Sequence, residues 1–488
     1  MSDNPKLIVN SFGGVKAVVL VIAAVSRLWV ILFFQSNAGD TPTYELFAAN
    51  ILRGCGLSFS NPTSTDCILT SGGYFPGFPA FIALIWTLFG QSTYQILIAQ
   101  LACYLLALYW LLTALDRLTN SRKVLIGVGM LLALSPLQVG WFRFVITEPL
   151  CIAAATWFFA ELIISIAEKK LRTYYLALAL SVSVYIRPDT IFMVAAVLII
   201  TFYIYDIKNS IRQFLLMLML TSIPVSGWMI RNLMIGHAPL SMTSDAAPQA
   251  PGFHAWLNTW LVNEYERADT HFPVWRAEYS KIKIHDSKFL GDSELSKARL
   301  LVKELSLHDG EKFPLHIDSQ FQDIADQKIS ARSNFEQLQI FAIRACYLLF
   351  NPFSSWGLPL EIKKIDRGAI SVAIGRFDYF EIDNLLEDQK LMFFGKMGSF
   401  IYRGAIFLSF GCLVTGVISA SLIKLQRHVP SRISILLLGA AAFAISRIWF
   451  FVIMDALESR YLVEIVPWVE CCLAIWFFDN RRQNNSND

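Results

Sequence analysis

Ten runs of apolar residues dominate the chain, near 14–34, 93–115, 124–140, 148–166, 173–187, 189–205, 213–231, 399–423, 434–453 and 460–478. In a bilayer every backbone N–H and C=O must be bonded within its own segment, so a run of roughly 20 apolar residues crosses as a helix. Repeated runs of this kind predict an all-α polytopic membrane protein of about ten spans. Several runs are shorter than a direct crossing, so their ends are soft, and the Arg187-Pro188 break can be a re-entrant corner. Charge agrees with this class. Only 16% of the 488 residues are charged, against about 25% for soluble proteins, and the mean hydropathy is +0.49. A net charge of +3, with no basic tract interleaved with aromatics, excludes nucleic acid as a partner. The first run is longer than a secretory h-region and no small-x-small site follows it, so it reads as a retained span rather than a cleaved leader.

The connections alternate in charge. Arg117, Arg122 and Lys123; Lys169, Lys170 and Arg172; Lys208 and Arg212; Lys424, Arg427 and Arg432; and Arg481 and Arg482 fall on alternate loops. The positive-inside rule places all of them in the cytoplasm, with both termini. The remaining connections, 35–92, 141–147, 187–189, 232–398 and 454–459, then face outward. Asp40, Glu148, Arg187, Arg231, Glu458 and Arg460 therefore collect at one membrane surface, which hydropathy alone does not require. Two apolar stretches, 76–90 and 335–350 (the latter with Arg344 mid-run), read better as helices lying in the interface. The chain divides into an N-terminal transmembrane module (1–231, with the first external loop at 35–92), an external region with an interfacial helix (232–398), and C-terminal transmembrane helices with a cytoplasmic tail (399–488).

Each candidate residue has a plain structural reading beside a chemical one. Asp40 precedes a helix expected to start near Pro42, capped by Thr41 or Thr43, where the helix dipole favours negative charge; Asp40 can equally be the cap itself. Glu148 follows Thr147 and precedes Pro149 at the start of a span, as a first-turn acid would. Arg187 can form a corner salt bridge, Arg231 can snorkel to headgroups, and Glu458 can simply pair with Arg460. Together they put carboxylates suited to general-base work beside arginine forks suited to phosphate. Tyr44, Tyr74 and Tyr461 can anchor the interface. Walker, zincin and Gly-x-Ser-x-Gly motifs are absent. The histidines lack metal-ligand spacing, so no metal site is assigned. Most cysteines lie in apolar runs, but Cys55 and Cys67 share the first external loop, where a disulfide can form in an oxidising compartment.

Short motifs follow in a set order: Gly39-Asp40 with Tyr44 and Ala48, Gly54-x-Gly56-Leu57-Ser58, Tyr74-Phe75-Pro76-Gly77-Phe78-Pro79, Thr147-Glu148-Pro149, Ile186-Arg187-Pro188, Met229-Ile230-Arg231-Asn232 and Glu458-Ser459-Arg460-Tyr461. In this order the chain resembles the GT-C membrane glycosyltransferases. More narrowly, it is similar to the bacterial branch related to protein O-mannosyltransferases, aminoarabinose transferases and lipopolysaccharide-core galacturonic acid transferases. The resemblance covers about 1–240 and the last hundred residues. Thr41 departs from the paired acids of the eukaryotic mannosyltransferases, and 240–398 matches nothing in the family pattern.

The resemblance implies a GT-C-like bundle in a bacterial inner membrane. It also implies a polyprenyl-phosphate sugar donor and an extracytoplasmic acceptor, used on the non-cytoplasmic face. Asp40 would be the base for inverting transfer and Glu148 its acidic partner. Arg187, Arg231 and Arg460 would hold the donor phosphate, and Tyr44, Tyr74, Glu458 and Tyr461 would line the sugar or lipid groove. A divalent metal is compatible but not demanded. Two other readings remain. A transporter or flippase of a lipid-linked sugar would use mid-span charges such as Arg27, Glu161 and Arg447. A ligase or polymerase would move a whole glycan.

Overall fold

The computed structural model describes residues 13–63, 66–67, 75–236, 250–285, 287, 289–351, 390–423, 431–454 and 458–484. Every regular element among them is a helix. In chain order these are α1 (Gly13–Phe34), α2 (Thr41–Leu52), α3 (Gly77–Phe89), α4 (Thr93–Thr119), α5 (Arg122–Leu134), α6 (Pro136–Val139), α7 (Thr147–Glu168), α8 (Thr173–Ile186) and α9 (Val194–Ile204). They continue with α10 (Ile207–Met234), α11 (Pro251–Leu257), α12 (Glu264–Trp275), α13 (Asp292–Leu305), α14 (Leu315–Ala331), α15 (Asn334–Phe350), α16 (Lys390–Ile423), α17 (Arg432–Ile453) and α18 (Val466–Asn484).

Seven helical stretches among the described residues are long and apolar enough to cross a bilayer, and an eighth is the bent pair Arg122–Leu134 and Pro136–Arg143, broken by 43°. Two further expected spans form the shorter apolar helices Thr173–Ile186 and Pro188–Ile204. The ten runs thus appear as seven long helices, one broken span and two short segments. The Arg187-Pro188 break separates these two, because proline removes a donor and restricts the residue before it. The stretch at 76–90 forms α3, whose Phe78, Ile82 and Ile85 are buried while Leu84 and Leu88 are exposed.

At the centre is α7, buried over 89% of its spanning window and packed on α4 and α8. Trp468 locks the last helix against it, stacking on Phe159 at 4.5 Å and donating its indole N–H to the Ala155 carbonyl at 3.0 Å. By contrast α10 is only 17% buried. An apolar helix exposed on most of its circumference is what lipid, rather than protein, would cover.

The broken span explains one mid-membrane charge. Pro136 has no N–H for the carbonyl of Leu132, so the break strands acceptors that hydrocarbon cannot satisfy. Arg27 supplies them. Its guanidinium donates to the Leu132 carbonyl at 2.9 Å and the Ala133 carbonyl at 2.8 Å, and lies 4.0 Å over the Tyr104 ring. Glu470 of α18 accepts from Ser135 at 2.6 Å, Gln138 at 2.6 Å and Tyr402 at 3.0 Å, which ties α16 and α18 to the same break.

Arg344 is buried in α15 and donates to the carbonyls of Leu261, Val452 and Asn258 at 2.8, 3.0 and 3.0 Å. It joins the end of α17 to the segment after α11. In the segment from α11 to α14, Trp256 packs against Phe253, Phe321 and Trp260, and Phe253 packs against Phe321.

Candidate functional site

Asp40 occupies the N-cap position of α2, with Pro42 in the first turn, yet its side chain makes no capping bond. The expected cap by Thr41 is not made either. That hydroxyl donates to the Val145 carbonyl at 3.0 Å and accepts from the Ala38 N–H at 3.1 Å. Thr41 therefore fastens the start of α2 to the loop before α7, and the Asp40 carboxylate is left to interact elsewhere. It meets Arg460, whose Nη1 lies 3.0 Å from Asp40 Oδ2.

Arg460 is the hub. Its Nε lies 2.5 Å from Glu458 and 3.9 Å from Glu148. Glu148 is in the first turn of α7, as its Thr-Glu-Pro context predicts, and Thr147 donates to it at 3.2 Å rather than capping the helix. Its Oε1 is also 3.8 Å from Arg187. Arg187 lies 3.1 Å from Asp189 and 3.0 Å from Glu464. Both of those acids are held again by Arg447, at 2.6 and 2.9 Å. On the other flank Arg267 of α12 reaches Glu458 at 3.1 Å. One ionic chain therefore runs from Asp40 through Arg460, Glu148 and Arg187 to Arg447. Tyr461 lies beneath it, with the Arg187 and Arg460 guanidiniums 4.9 and 5.3 Å from its ring centre.

Exposure divides this chain. The Glu148 side chain is 3% exposed and Glu464 and Arg447 are fully buried, whereas Asp40 is 37% and Arg460 29% exposed. The buried part is a braced frame and the Asp40–Arg460 end is the accessible face. Burial alone would raise the Glu458 carboxyl, but Arg460 and Arg267 hold it below its ordinary value.

Among the expected site residues, Asp40, Glu148, Arg187, Glu458, Arg460 and Tyr461 come together. Arg231 stands apart: it lies 4.6 Å over Trp228 and donates to Asn232, with no ion pair to Asp40, Glu148 or Glu458 among the described residues. Tyr44 packs edge-on against Phe78 at 4.9 Å. Tyr74 lies outside the described residues. Glu464, Asp189, Arg447 and Arg267 complete the cluster and were not assigned to it from sequence. Two signals were present: Arg447, a charge inside an apolar run, and Asp189, which follows the Arg187-Pro188 break where a corner salt bridge is expected and where it now pairs with Arg187. No group of three or more His, Cys, Asp or Glu side chains able to hold a metal is present among the described residues.

An apolar groove of about 1000 Å³ begins beside the cluster. Leu150 and Ile186 line it, and they neighbour Glu148 and Arg187 in sequence. Leu106 and Leu178, also in its lining, are 70% and 55% exposed, so its flank is open where lipid would lie. The three mid-span charges all have partners inside the protein: Arg27 at the broken span, Glu161 with Arg172 at 2.7 Å, and Arg447 in the cluster.

Fold and site define an integral membrane protein with a carboxylate–arginine centre at one end of a helical bundle and an apolar groove leading from it. Residues 74–228 match the family model described as dolichyl-phosphate-mannose-protein mannosyltransferase, so the resemblance to GT-C membrane glycosyltransferases is borne out over that stretch. No curated protein matches the chain. Among solved structures, ArnT from Cupriavidus metallidurans bound to undecaprenyl phosphate aligns at 12% identity and a TM-score of 0.37, covering 94% of this chain and 76% of that one. The archaeal oligosaccharyltransferase AglB from Archaeoglobus fulgidus, in complex with an inhibitory peptide and a dolichol-phosphate, aligns at 10% identity and a TM-score of 0.45, covering 97% of this chain and 51% of that one.

Proposed function

We propose that the protein is a glycosyltransferase that moves a single sugar from a polyprenyl-phosphate donor to an extracytoplasmic acceptor, with inversion, in a bacterial inner membrane. The observation that carries this reading is the position of Arg460. It holds the partly exposed Asp40 at 3.0 Å and adjoins Glu148 at 3.9 Å, in a cluster whose neighbours line an apolar groove. A lipid phosphate needs both an arginine fork for its head and a dry channel for its tail. The family description over 74–228 names a donor of this class, and the alternation of basic loops supports a site on the non-cytoplasmic face.

In this reading the acceptor oxygen attacks the anomeric carbon from the face opposite the phosphate. Its proton passes to Asp40 as the new C–O bond forms. The bond from the anomeric carbon to the phosphate oxygen breaks, and the phosphate keeps the electron pair. Arg460 and Arg187 take up the charge that grows on the leaving phosphate, which is the largest electrostatic lever such a site has. Arg231 lies on α10 beyond Pro224, itself in the groove lining, and reaches the phosphate from the opposite rim. Glu148 orients Arg460 and the acceptor, while Tyr44, Tyr74, Glu458 and Tyr461 line the sugar. Asp40 and Glu148 are the oxygens a divalent ion would use, but both already face Arg460, and no step here is routed through a metal.

The test is a transfer assay. Purified wild type and Asp40→Asn receive a panel of radiolabelled polyprenyl-phosphate sugars, with a membrane extract as acceptor source. Label moving to an acceptor with wild type alone supports the reading and names the sugar. Intact donor across the whole panel, with folded protein and a verified acceptor supply, overturns it.

A further inference from the structure

The groove has a second end, lined by aromatic residues that a buried ion pair holds from behind. Trp110 of α4 and Trp157 of α7 both line it. Both donate their indole N–H to one oxygen of Glu161, at 2.8 and 3.2 Å. The other Glu161 oxygen lies 2.7 Å from Arg172 Nη1, and the Arg172 guanidinium stacks 4.1 Å from Tyr175 and 5.9 Å from Trp110. Glu161 is 1% exposed. Burying a carboxylate in a membrane bundle is costly unless it is paired and hydrogen-bonded. Here it is both, and what it holds is two large aromatic walls, each with its one polar atom satisfied.

We propose that Trp110 and Trp157, pinned by Glu161 and Arg172, close the groove away from the cluster and so set how much of the donor's prenyl chain the protein reads. This rests on the glycosyl-transfer reading above. Along α8 the lining runs from Ile186 to Tyr174, about 18 Å at 1.5 Å per residue. A chain entering beside Arg187 lies along this length, meets the indoles, and turns out into the bilayer past Leu106 and Leu178. Prenyl units within that length add contact, and units beyond it lie in lipid and add none. Trp110 and Trp157 are specificity-determining residues in this account; Glu161 and Arg172 position them.

The experiment measures displacement of tritiated undecaprenyl phosphate from full-length protein in nanodiscs by geranyl, farnesyl, geranylgeranyl and unlabelled undecaprenyl phosphates. In wild type, with each competitor counted per nanodisc lipid, displacement should strengthen about 10-fold from geranyl to geranylgeranyl, since each prenyl unit seated in the groove adds close-packed contacts with its wall that fluid lipid does not supply, and then stay flat. Trp157→Ala should let it keep strengthening beyond geranylgeranyl. Trp157→Phe, which keeps an aromatic wall but loses the N–H held by Glu161, should fall between wild type and Trp157→Ala. Glu161→Gln should blur the plateau, with the geranylgeranyl compound weakened more than the geranyl compound. A merely destabilised protein would weaken all four lipids equally. Should Trp157→Ala not fold, a diazirine at the distal end of geranylgeranyl phosphate should label α4 or α7 near the indoles in wild type. An unchanged length profile in Trp157→Ala, or label confined to other helices, overturns the inference and leaves the transfer reading standing. No binding of any prenyl phosphate to folded wild type overturns both.

Discussion

Arg460 Nη1 lies 3.0 Å from Asp40 Oδ2, joining residues 420 positions apart in the chain. The pair keeps an aspartate on the first loop and an arginine before the last helix in one accessible place. In the proposed transfer reading, a phosphate that drew Arg460 toward itself would leave the Asp40 carboxylate available as the base. Asp40→Asn is therefore expected to lower transfer by roughly 10²–10⁴-fold, the usual contribution of a positioned base, with unchanged yield and thermal stability. Arg460→Lys keeps the charge but loses the fork, and should weaken displacement of labelled lipid phosphate as well as turnover. An Asp40→Asn protein with full transfer activity would remove Asp40 from the chemistry.

Arg447 is expected to matter for stability first. It is fully buried and holds both Asp189 and Glu464. Removing one partner of a buried pair leaves charge uncompensated, at a cost of about 3–5 kcal/mol. Arg447→Met should lower the unfolding temperature in detergent sharply. Arg447→Lys should fall between the two proteins. A thermal profile unchanged by Arg447→Met would show that the frame does not depend on this arginine.

The region carrying α11 to α14 is expected to loosen in acid. His254 and His271 face each other at 4.7 Å. Burial, reinforced by Arg267, lowers His254 to about 4 and His271 to about 2, against about 6.5 for an exposed histidine. The folded state binds fewer protons than the unfolded state between these values, so stability rises with pH there. It is fully present above about pH 6.5 and lost progressively as pH falls toward 4. The depressed Glu458 acts with the same sign at lower pH. Hydrogen exchange in α11 and α12 at pH 7.5, 6 and 5 should show the loss, and His271→Gln should flatten it.

The chain-level features were legible because they rest on rules that act locally. Apolar runs gave the helices, prolines gave the breaks, and alternating basic loops gathered Asp40, Glu148, Arg187 and Arg460 at one end. What stayed hidden was pairing. Glu464 lies in the opening of an apolar run with no motif of its own, and Arg267 sits in a mixed-charge segment where hydropathy carries no signal. Their roles come from helix packing, which brings α12 onto Glu458 and the start of the last helix onto Arg187. Arg27 and Glu161 looked like candidates for a transport path. The first caps carbonyls stranded by Pro136 and the second holds two indoles, and neither relationship has a sequence period to reveal it.

Cys55 and Cys67 are bonded to each other, twelve positions apart. Cys55 follows directly on the left-handed Gly54 at the end of α2, the helix that Asp40 begins, so the bond ties down the far end of that helix. Constraining a loop of this size in the unfolded chain stabilises by about 3 kcal/mol. Cys55→Ser should lower thermal stability by about that amount and reduce transfer through α2, with lipid-phosphate displacement less affected. Non-reducing peptide mapping should recover a Cys55–Cys67 linked peptide from wild type, and two free thiols there would remove the bond from the account.

Gly77 fixes how closely α3 approaches α8. A Cβ at this position would lie 2.5 Å from the Tyr185 carbonyl oxygen and 2.9 Å from the Ile186 N. Both are backbone atoms, so the helices themselves must part. Overpacking of this kind costs about 1–3 kcal/mol. The shift would fall on the turn that presents Arg187 and on the mouth of the groove, where Gly77 and Ile186 are both part of the lining. Gly77→Ala is therefore expected to weaken lipid-phosphate displacement by more than its loss of stability accounts for. Gly236→Ala, at a left-handed position with open space around it, should cost stability alone. Equal binding by both variants at matched folded fraction would show that α3 does not shape the mouth.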